Sequence, residues 1–173
     1  MNRKRAAKTV KKFTKRTSKE IKANGESKEF DFSVNAKDPN LWYFRFSVDD
    51  GLYKGQQHII EVKLQYGNAP TPEAKTLYVY PVNPPLCRFI TPIWHPNIST
   101  KGTICLDVLK DEWTPSMHSA AIVTAIKLLL MCPEPKSPLN LAAAWLFTTS
   151  RVAYKKRVSE VYDTADKHCG IFQ

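Results

Sequence analysis

Five prolines fall between Leu77 and Thr114, at positions 81, 84, 85, 92 and 96. Proline fixes φ and offers no backbone N–H, so it ends helices and is tolerated in sheets only at edges and bulges. That stretch has room for one short strand, around residues 86–91, and is otherwise a long ordered loop region, the kind of segment in which functional side chains gather. It also splits the chain into a part with strand-like alternation before it and a part with helical periodicity after it.

On the N-terminal side, Phe30, Phe32 and Val34 alternate with polar neighbours, and Trp42, Phe44, Phe46 and Val48 do so after the Asp38-Pro39-Asn40 turn. After Asp49-Asp50-Gly51, the residues His58, Ile60, Val62 and Leu64 alternate again. With the short strand near 86–91 these predict a four-stranded antiparallel meander. Residues 66–75 contain Gly67, Asn68, Pro70 and Pro72 and read as a loop. Ahead of the sheet, Val10, Phe13, Thr17 and Ile21 fall near helical spacing, which predicts a basic helix over 9–23 stopped by Asn24-Gly25. Beyond Pro115, residues 120–131 are almost wholly apolar and predict a buried helix ended by Pro133 and Pro135. Residues 141–147 and 152–168 read as two more helices, the last amphipathic. No internal repeat is present, and the plan is α+β: an N-terminal helix, a meander sheet, a long loop region and C-terminal helices.

The chain of 173 residues suits one domain, and its 19 aromatic residues and 43% hydrophobic content call for a packed core. The net charge of +10 suggests a nucleic-acid partner until the charges are placed. Residues 1–22 hold ten of the 26 basic residues against the single acid Glu20, while the rest carry 16 basic and 15 acidic groups. The globule is nearly neutral, so nucleic acid is a disfavoured partner and the basic property belongs to the N-terminal segment. That segment also fits a nuclear localisation signal or, less well because Lys outnumbers Arg, a mitochondrial transit peptide. The cysteines at 87, 105, 132 and 169 have no zinc-ligand spacing, so no metal or cofactor is expected. No apolar stretch is long enough to span a bilayer. These features predict a soluble protein of a reducing compartment, cytoplasmic or nuclear.

Cys105 lies in the irregular run His95-Pro96-Asn97-Ile98-Ser99-Thr100-Lys101-Gly102-Thr103-Ile104-Cys105-Leu106-Asp107. An average cysteine is a small buried hydrophobe. A His-Pro-Asn tripeptide, a glycine, a cysteine eight residues after the Asn and Trp113-x-Pro115 beyond it together resemble the ubiquitin-conjugating enzyme family. The resemblance extends from about 15 to 165, through Tyr53-Lys54-Gly55, the proline-rich Tyr80-Pro81-Val82-Asn83-Pro84-Pro85, and Pro133-Glu134-Pro135-Lys136-Ser137-Pro138-Leu139. It divides the chain into a basic extension over 1–14, a catalytic core over 15–168 and a tail over 169–173.

The resemblance implies that Cys105 carries a ubiquitin-like modifier as a thioester and delivers it to a substrate lysine. An ordinary thiol is about 3% thiolate at pH 7, and exchange of one thioester for another is nearly balanced, so loading needs no dedicated base. ATP is consumed by the activating enzyme. Attack by lysine is harder, because lowering its pKa by about 3 units corresponds to about 4 kcal/mol. The resemblance gives Asn97 two alternative roles, oxyanion donor or support for the cysteine-bearing loop. It makes His95 mainly structural, with a general-base role as the lesser alternative. Asp107 is placed to position the incoming lysine or to sit as a solvated carboxylate. Ser137 stands where an acidic residue often orients that lysine, and serine supplies no charge. Trp94 and Trp113 are expected to be packing residues.

By resemblance, Lys15, Arg16 and Lys19 on the first helix meet the activating enzyme, and Val82, Pro115 and Ser116 meet a RING-type ligase. Val82 has less apolar area than the aromatic residue common there. The interval from Leu64 to Tyr80 is about a dozen residues longer than in minimal members. The basic N-terminus, the Asp49-to-Gly55 turn and Ser137-Pro138-Leu139-Asn140-Leu141-Ala142-Ala143 lean towards the neddylation branch. The alternatives are a ubiquitin-specific enzyme and a basic-tailed binding protein of the same fold without transfer activity.

Overall fold

In the computed structural model, residues 3–68, 77–164 and 170–172 are described. The element order is helix α1 (Arg3–Gly25), strands β1 (Asp31–Val34), β2 (Leu41–Ser47), β3 (Gln57–Lys63), β4 (Tyr66–Asn68), β5 (Leu77–Val79) and β6 (Leu86–Phe89), then helices α2 (Ser119–Met131), α3 (Leu141–Thr149) and α4 (Arg151–Asp163). Short 3-10 turns form at Asp107–Leu109 and Gly170–Phe172. The main sheet is antiparallel in the order β1-β2-β3-β6.

Alternation explains the sheet. Trp42, Phe44 and Phe46 of β2 pair with Val62, Ile60 and His58 of β3. All six side chains are buried, and each large apolar one contributes about 1.5–3 kcal/mol on leaving water. Ile122, Ile126 and Leu130 of α2 recur at helical spacing and join the same core. Tyr154 and Val158 of α4 close it.

Four expectations are corrected. Helix α1 begins at Arg3, well before residue 9, so the basic segment continues directly into the core helix. The stretch read as a loop from 66 opens instead with β4, which pairs with β5 in a separate hairpin (Tyr66 with Val79, Asn68 with Leu77). Its glycine and asparagine looked like loop residues because a three-residue strand is too short to show alternation. Residues 69–76 lie outside the described set. Strand β6 ends at Phe89, because the N–H groups of Ile90 and Thr91 both turn to the Ile59 carbonyl. The final helix ends at Asp163, with His168 outside the described residues.

A buried carboxylate ties α1 to the globule. Glu20 is 2% exposed. It accepts hydrogen bonds from Tyr80 Oη (2.5 Å), Ser119 N (2.7 Å) and Ser119 Oγ (2.6 Å), and pairs with Arg16 one helical turn away. Arg16 also donates to the Met117 carbonyl, and Asn24 Nδ2 donates to Ser119 Oγ at 2.9 Å. Burial alone would raise the Glu20 carboxyl, but the hydrogen bonds from Ser119, Tyr80 and Arg16 hold it below the ordinary value. Phe13 adds an apolar link, its ring 5.0 Å from that of Tyr66 on β4.

Candidate active site

The cysteine sits at the end of a small hairpin built by its own motif. The Asn97 carbonyl accepts from Cys105 N at 2.9 Å, and Ile98 bridges Ile104 one step further in. Both isoleucines are buried and anchor the hairpin in the core. The turn at its tip closes through Gly102 N to the Ser99 carbonyl and Ser99 N to the Thr103 carbonyl, each 2.9 Å. Gly102 has φ +83°, and a Cβ there would lie 2.2 Å from the Phe89 carbonyl oxygen. Only glycine permits the turn to press against β6, where Phe89 N donates to the Gly102 carbonyl at 2.9 Å.

His95 is fully buried with both ring nitrogens engaged. Nδ1 accepts from Asn97 N at 3.0 Å, which leaves Nε2 to donate to the Leu129 carbonyl at 3.1 Å. Burial pushes its pKa down to about 4, partly offset by the Leu129 carbonyl. A buried ring with both nitrogens engaged on the backbone is arranged as a structural group of the motif. The segment is held further by Tyr53, which donates to the Trp94 carbonyl at 2.6 Å, and by Tyr154, which reaches the same oxygen at 3.1 Å from α4.

Asn97 spends its side chain on the neighbouring loop. Nδ2 donates to the carbonyls of Glu134 (2.6 Å) and Ser137 (3.3 Å), and Oδ1 accepts from Glu134 N (2.9 Å). The Pro96 carbonyl accepts from Leu139 N and Asn140 N, both at 2.9 Å. Asn140 in turn caps α3 through Ala143 N. The tripeptide thus brings the 134–140 loop beside the cysteine hairpin. In this arrangement Asn97 supports the loop, with both amide protons committed. Ser137 is exposed, and its carbonyl is the group the site uses.

Cys105 is half-buried. Asp107 is exposed and opens the 3-10 turn, its carbonyl accepting from Lys110 N (2.8 Å) and Glu112 N (3.1 Å). That reversal returns the chain over the cysteine, and Lys110 Nζ lies 3.2 Å from Cys105 Sγ. Lys110 was not singled out in the sequence. Its spacing of five residues from the cysteine points nowhere until the turn is known. Trp113 is a packing residue as expected: Nε1 donates to the Pro81 carbonyl at 2.8 Å and the ring lies against Tyr80. Trp94 leaves its indole N–H buried without a partner, with Arg157 over its ring.

Of the expected partner-facing residues, Lys15 and Lys19 are exposed on α1, Val82 is 67% exposed, and Pro115 and Ser116 are exposed. Arg16 differs, because its guanidinium is spent inward on Glu20 and Met117. Burial raises the Cys87 thiol far above the ordinary range, Cys132 is exposed and Cys169 lies outside the described residues. Among the described residues no cluster of His, Cys, Asp or Glu could hold a metal ion, and no helix is long and apolar enough to cross a membrane.

Solved structures share this architecture. A ubiquitin-conjugating enzyme E2 domain from Toxoplasma gondii superposes with a TM-score of 0.74 at 26% identity, over 88% of this chain and 97% of that one. A protein from Plasmodium yoelii described as a ubiquitin-conjugating enzyme gives 0.74 at 30% identity, over 89% and 95%. Among curated relatives, "Ubiquitin-conjugating enzyme E2 3" of Arabidopsis thaliana is 43% identical over 84 residues, 49% of this chain and 56% of that protein. "Ubiquitin-conjugating enzyme E2 1" of Caenorhabditis elegans is 44% identical over 84 residues, 49% of this chain and 44% of that protein. The matched region thus spans about half the length of these curated relatives. The family model described as "Ubiquitin-conjugating enzyme" matches residues 16–162, which include the cysteine hairpin and the loop that Asn97 supports, and the chain belongs to that family.

Proposed function

We propose that this chain accepts the C-terminus of ubiquitin or a ubiquitin-like modifier from an activating enzyme as a thioester on Cys105, and passes it to a substrate lysine with a RING-type ligase. The observation that carries this reading is the half-buried thiol of Cys105, held on a hydrogen-bonded hairpin inside the family-matched region with a second loop bonded alongside. Loading is exchange of one thioester for another, with ATP consumed by the activating enzyme. In the second step Asn97 keeps the 134–140 loop in place, and exposed Asp107 is the nearest carboxylate in sequence to the cysteine that can orient the lysine. Ser137 adds no charge, so transfer to free lysine is slow and depends on the ligase. Exposed Lys15 and Lys19 meet the activating enzyme, while Val82, Pro115 and Ser116 form the ligase-facing surface. The setting is cytoplasmic or nuclear, where thiols stay reduced.

The finer reading, a neddylation-type enzyme, is favoured by α1, one continuous helix from Arg3 into the core whose sequence carries the ten basic residues of 1–22. The test is to incubate the chain with ATP, magnesium and either the ubiquitin or the neddylation activating enzyme with its modifier, beside Cys105→Ala. A thiol-sensitive, Cys105-dependent band with the neddylation pair alone supports both levels of the reading. A band with ubiquitin alone overturns the finer one, and no band with either pair overturns the proposal for both modifiers.

A further inference from the structure

We infer that the exposed side of α3 and the first turns of α4 form a membrane-docking surface, which lies on a bilayer rich in anionic phospholipid and holds the cysteine hairpin close to it. The docking does not depend on the thioester proposed at Cys105. Helix α3 is apolar on both sides. Ala143, Ala144 and Phe147 are buried, whereas Leu141 and Trp145, one helical turn apart, are 77% and 64% exposed. Val152, in the first turn of α4, is 83% exposed. The solvent side of a surface helix is ordinarily polar, so an exposed tryptophan stacked one turn from an exposed leucine marks a face that takes an apolar partner.

Charge selects that partner. No acidic residue occurs from 135 to 159, while Arg151, Lys155, Lys156 and Arg157 all fall there and all are exposed. Arg151 reaches back over the Phe147 ring at 3.6 Å, which sets its guanidinium against α3. Lys155 and Lys156 lie one turn beyond Val152 on the same side of α4. The first acid, Glu160, is engaged by Lys156 (3.9 Å) and Arg157 (3.1 Å). Projecting apolar side chains with a basic border match an anionic bilayer, in which an indole settles at headgroup level, leucine and valine reach the acyl boundary, and lysine and arginine meet the phospholipid charge. A fluid bilayer closes around side chains that project this far, whereas a folded protein partner must supply a pocket for each. The helices lie in the interface plane and do not cross it. Leu139 and Asn140, whose N–H groups bond the Pro96 carbonyl at 2.9 Å, lead directly into Leu141, so a bilayer against α3 brings lysines of membrane-bound substrates towards Cys105.

Co-sedimentation of the full chain with vesicles tests this. Binding to phosphatidylcholine containing about one-third phosphatidylserine should exceed binding to phosphatidylcholine alone by about tenfold, and should weaken with added salt. Because α1 is also cationic, its attraction to the same lipid has to be separated from the α3 face. Leu141→Ser with Trp145→Ser keeps every charge and alters exposed positions alone, so Tm should hold while binding to the anionic vesicles falls about tenfold. Brominated lipid should quench part of the tryptophan fluorescence. Trp145→Phe, which keeps the apolar area, should remove that quenching while binding stays within about twofold. Equal binding to the two vesicle types overturns the inference and leaves the face to a protein partner. Binding undiminished in the double variant, or quenching that persists in Trp145→Phe, overturns it as well. Thioester loading without vesicles should be the same in the double variant and the wild type. Its absence in both would sink the proposed function and leave the vesicle result standing.

Discussion

At the residue scale, the Asn97 amide is bonded to the loop that lies beside the cysteine hairpin. Its three hydrogen bonds to Glu134 and Ser137, with the two that the Pro96 carbonyl accepts, hold the second loop beside the cysteine hairpin. Asn97→Ala leaves those backbone groups without partners, at about 1–3 kcal/mol. Thioester loading should stay within about threefold of wild type while transfer to lysine falls more than about tenfold, together with faster amide exchange over 134–137. Loss of transfer with unchanged exchange would restore the oxyanion role that the resemblance also allowed. The proximity of His95, Asn97 and Cys105 was legible because they sit in one contiguous motif. The partners of Asn97 were not, since they lie about forty positions along the chain.

At the scale of elements, the attachment of α1 depends on one buried carboxylate. Glu20 looked like a lone acid in a basic segment, and nothing in the sequence linked it to Tyr80 or Ser119, which are 60 and 99 residues away. Its partners outside α1 come from the turn after β5 and the start of α2, which meet α1 only in the fold. Glu20→Gln removes the charge opposite Arg16 and weakens the bonds from Tyr80 and Ser119. The expected loss is about 3 kcal/mol, or about 6–12 °C in Tm by calorimetry. A change under about 1 °C would show that α1 is held by Phe13 and its apolar neighbours instead. The same network turns the Arg16 guanidinium inward, while Lys15 and Lys19 are exposed. Position along a helix told which residues are basic, and packing told which of them point outward.

At the scale of the whole molecule, two buried histidines set the response to acid. His58 lies among the rings of Phe46, Tyr53, Phe89 and Tyr162 with neither ring nitrogen bonded, and burial lowers its pKa to about 4. His95 is lowered to about 4 as well, again chiefly by burial. The unfolded chain takes up these protons near the ordinary value of 6.5, so stability is full above that pH and falls as pH drops towards 4. Each histidine accounts for about 3 kcal/mol of that loss. Glu20, whose folded pKa is depressed below 4.5, removes a further increment at lower pH still. Urea midpoints followed by tryptophan fluorescence should fall steeply between these limits. His58→Leu should leave stability at neutral pH equal or higher, since it deletes two unpaired buried polar atoms, and should roughly halve the acid slope. A slope unchanged by His58→Leu would refute the assignment.

The sequence by itself determined the α+β plan, the strands long enough to alternate, the apolar helix α2 and the motif that marks Cys105, because period, proline and turn signals act over a few residues. It could not determine the β4–β5 hairpin, whose strands are too short for any period to show. Nor could it reveal the Glu20 network, the support of the second loop by Asn97, or the approach of Lys110 to Cys105. Each of those depends on where distant or reversed segments of chain come to rest, and hydrogen bonds between such segments are decided by the packing of the whole core.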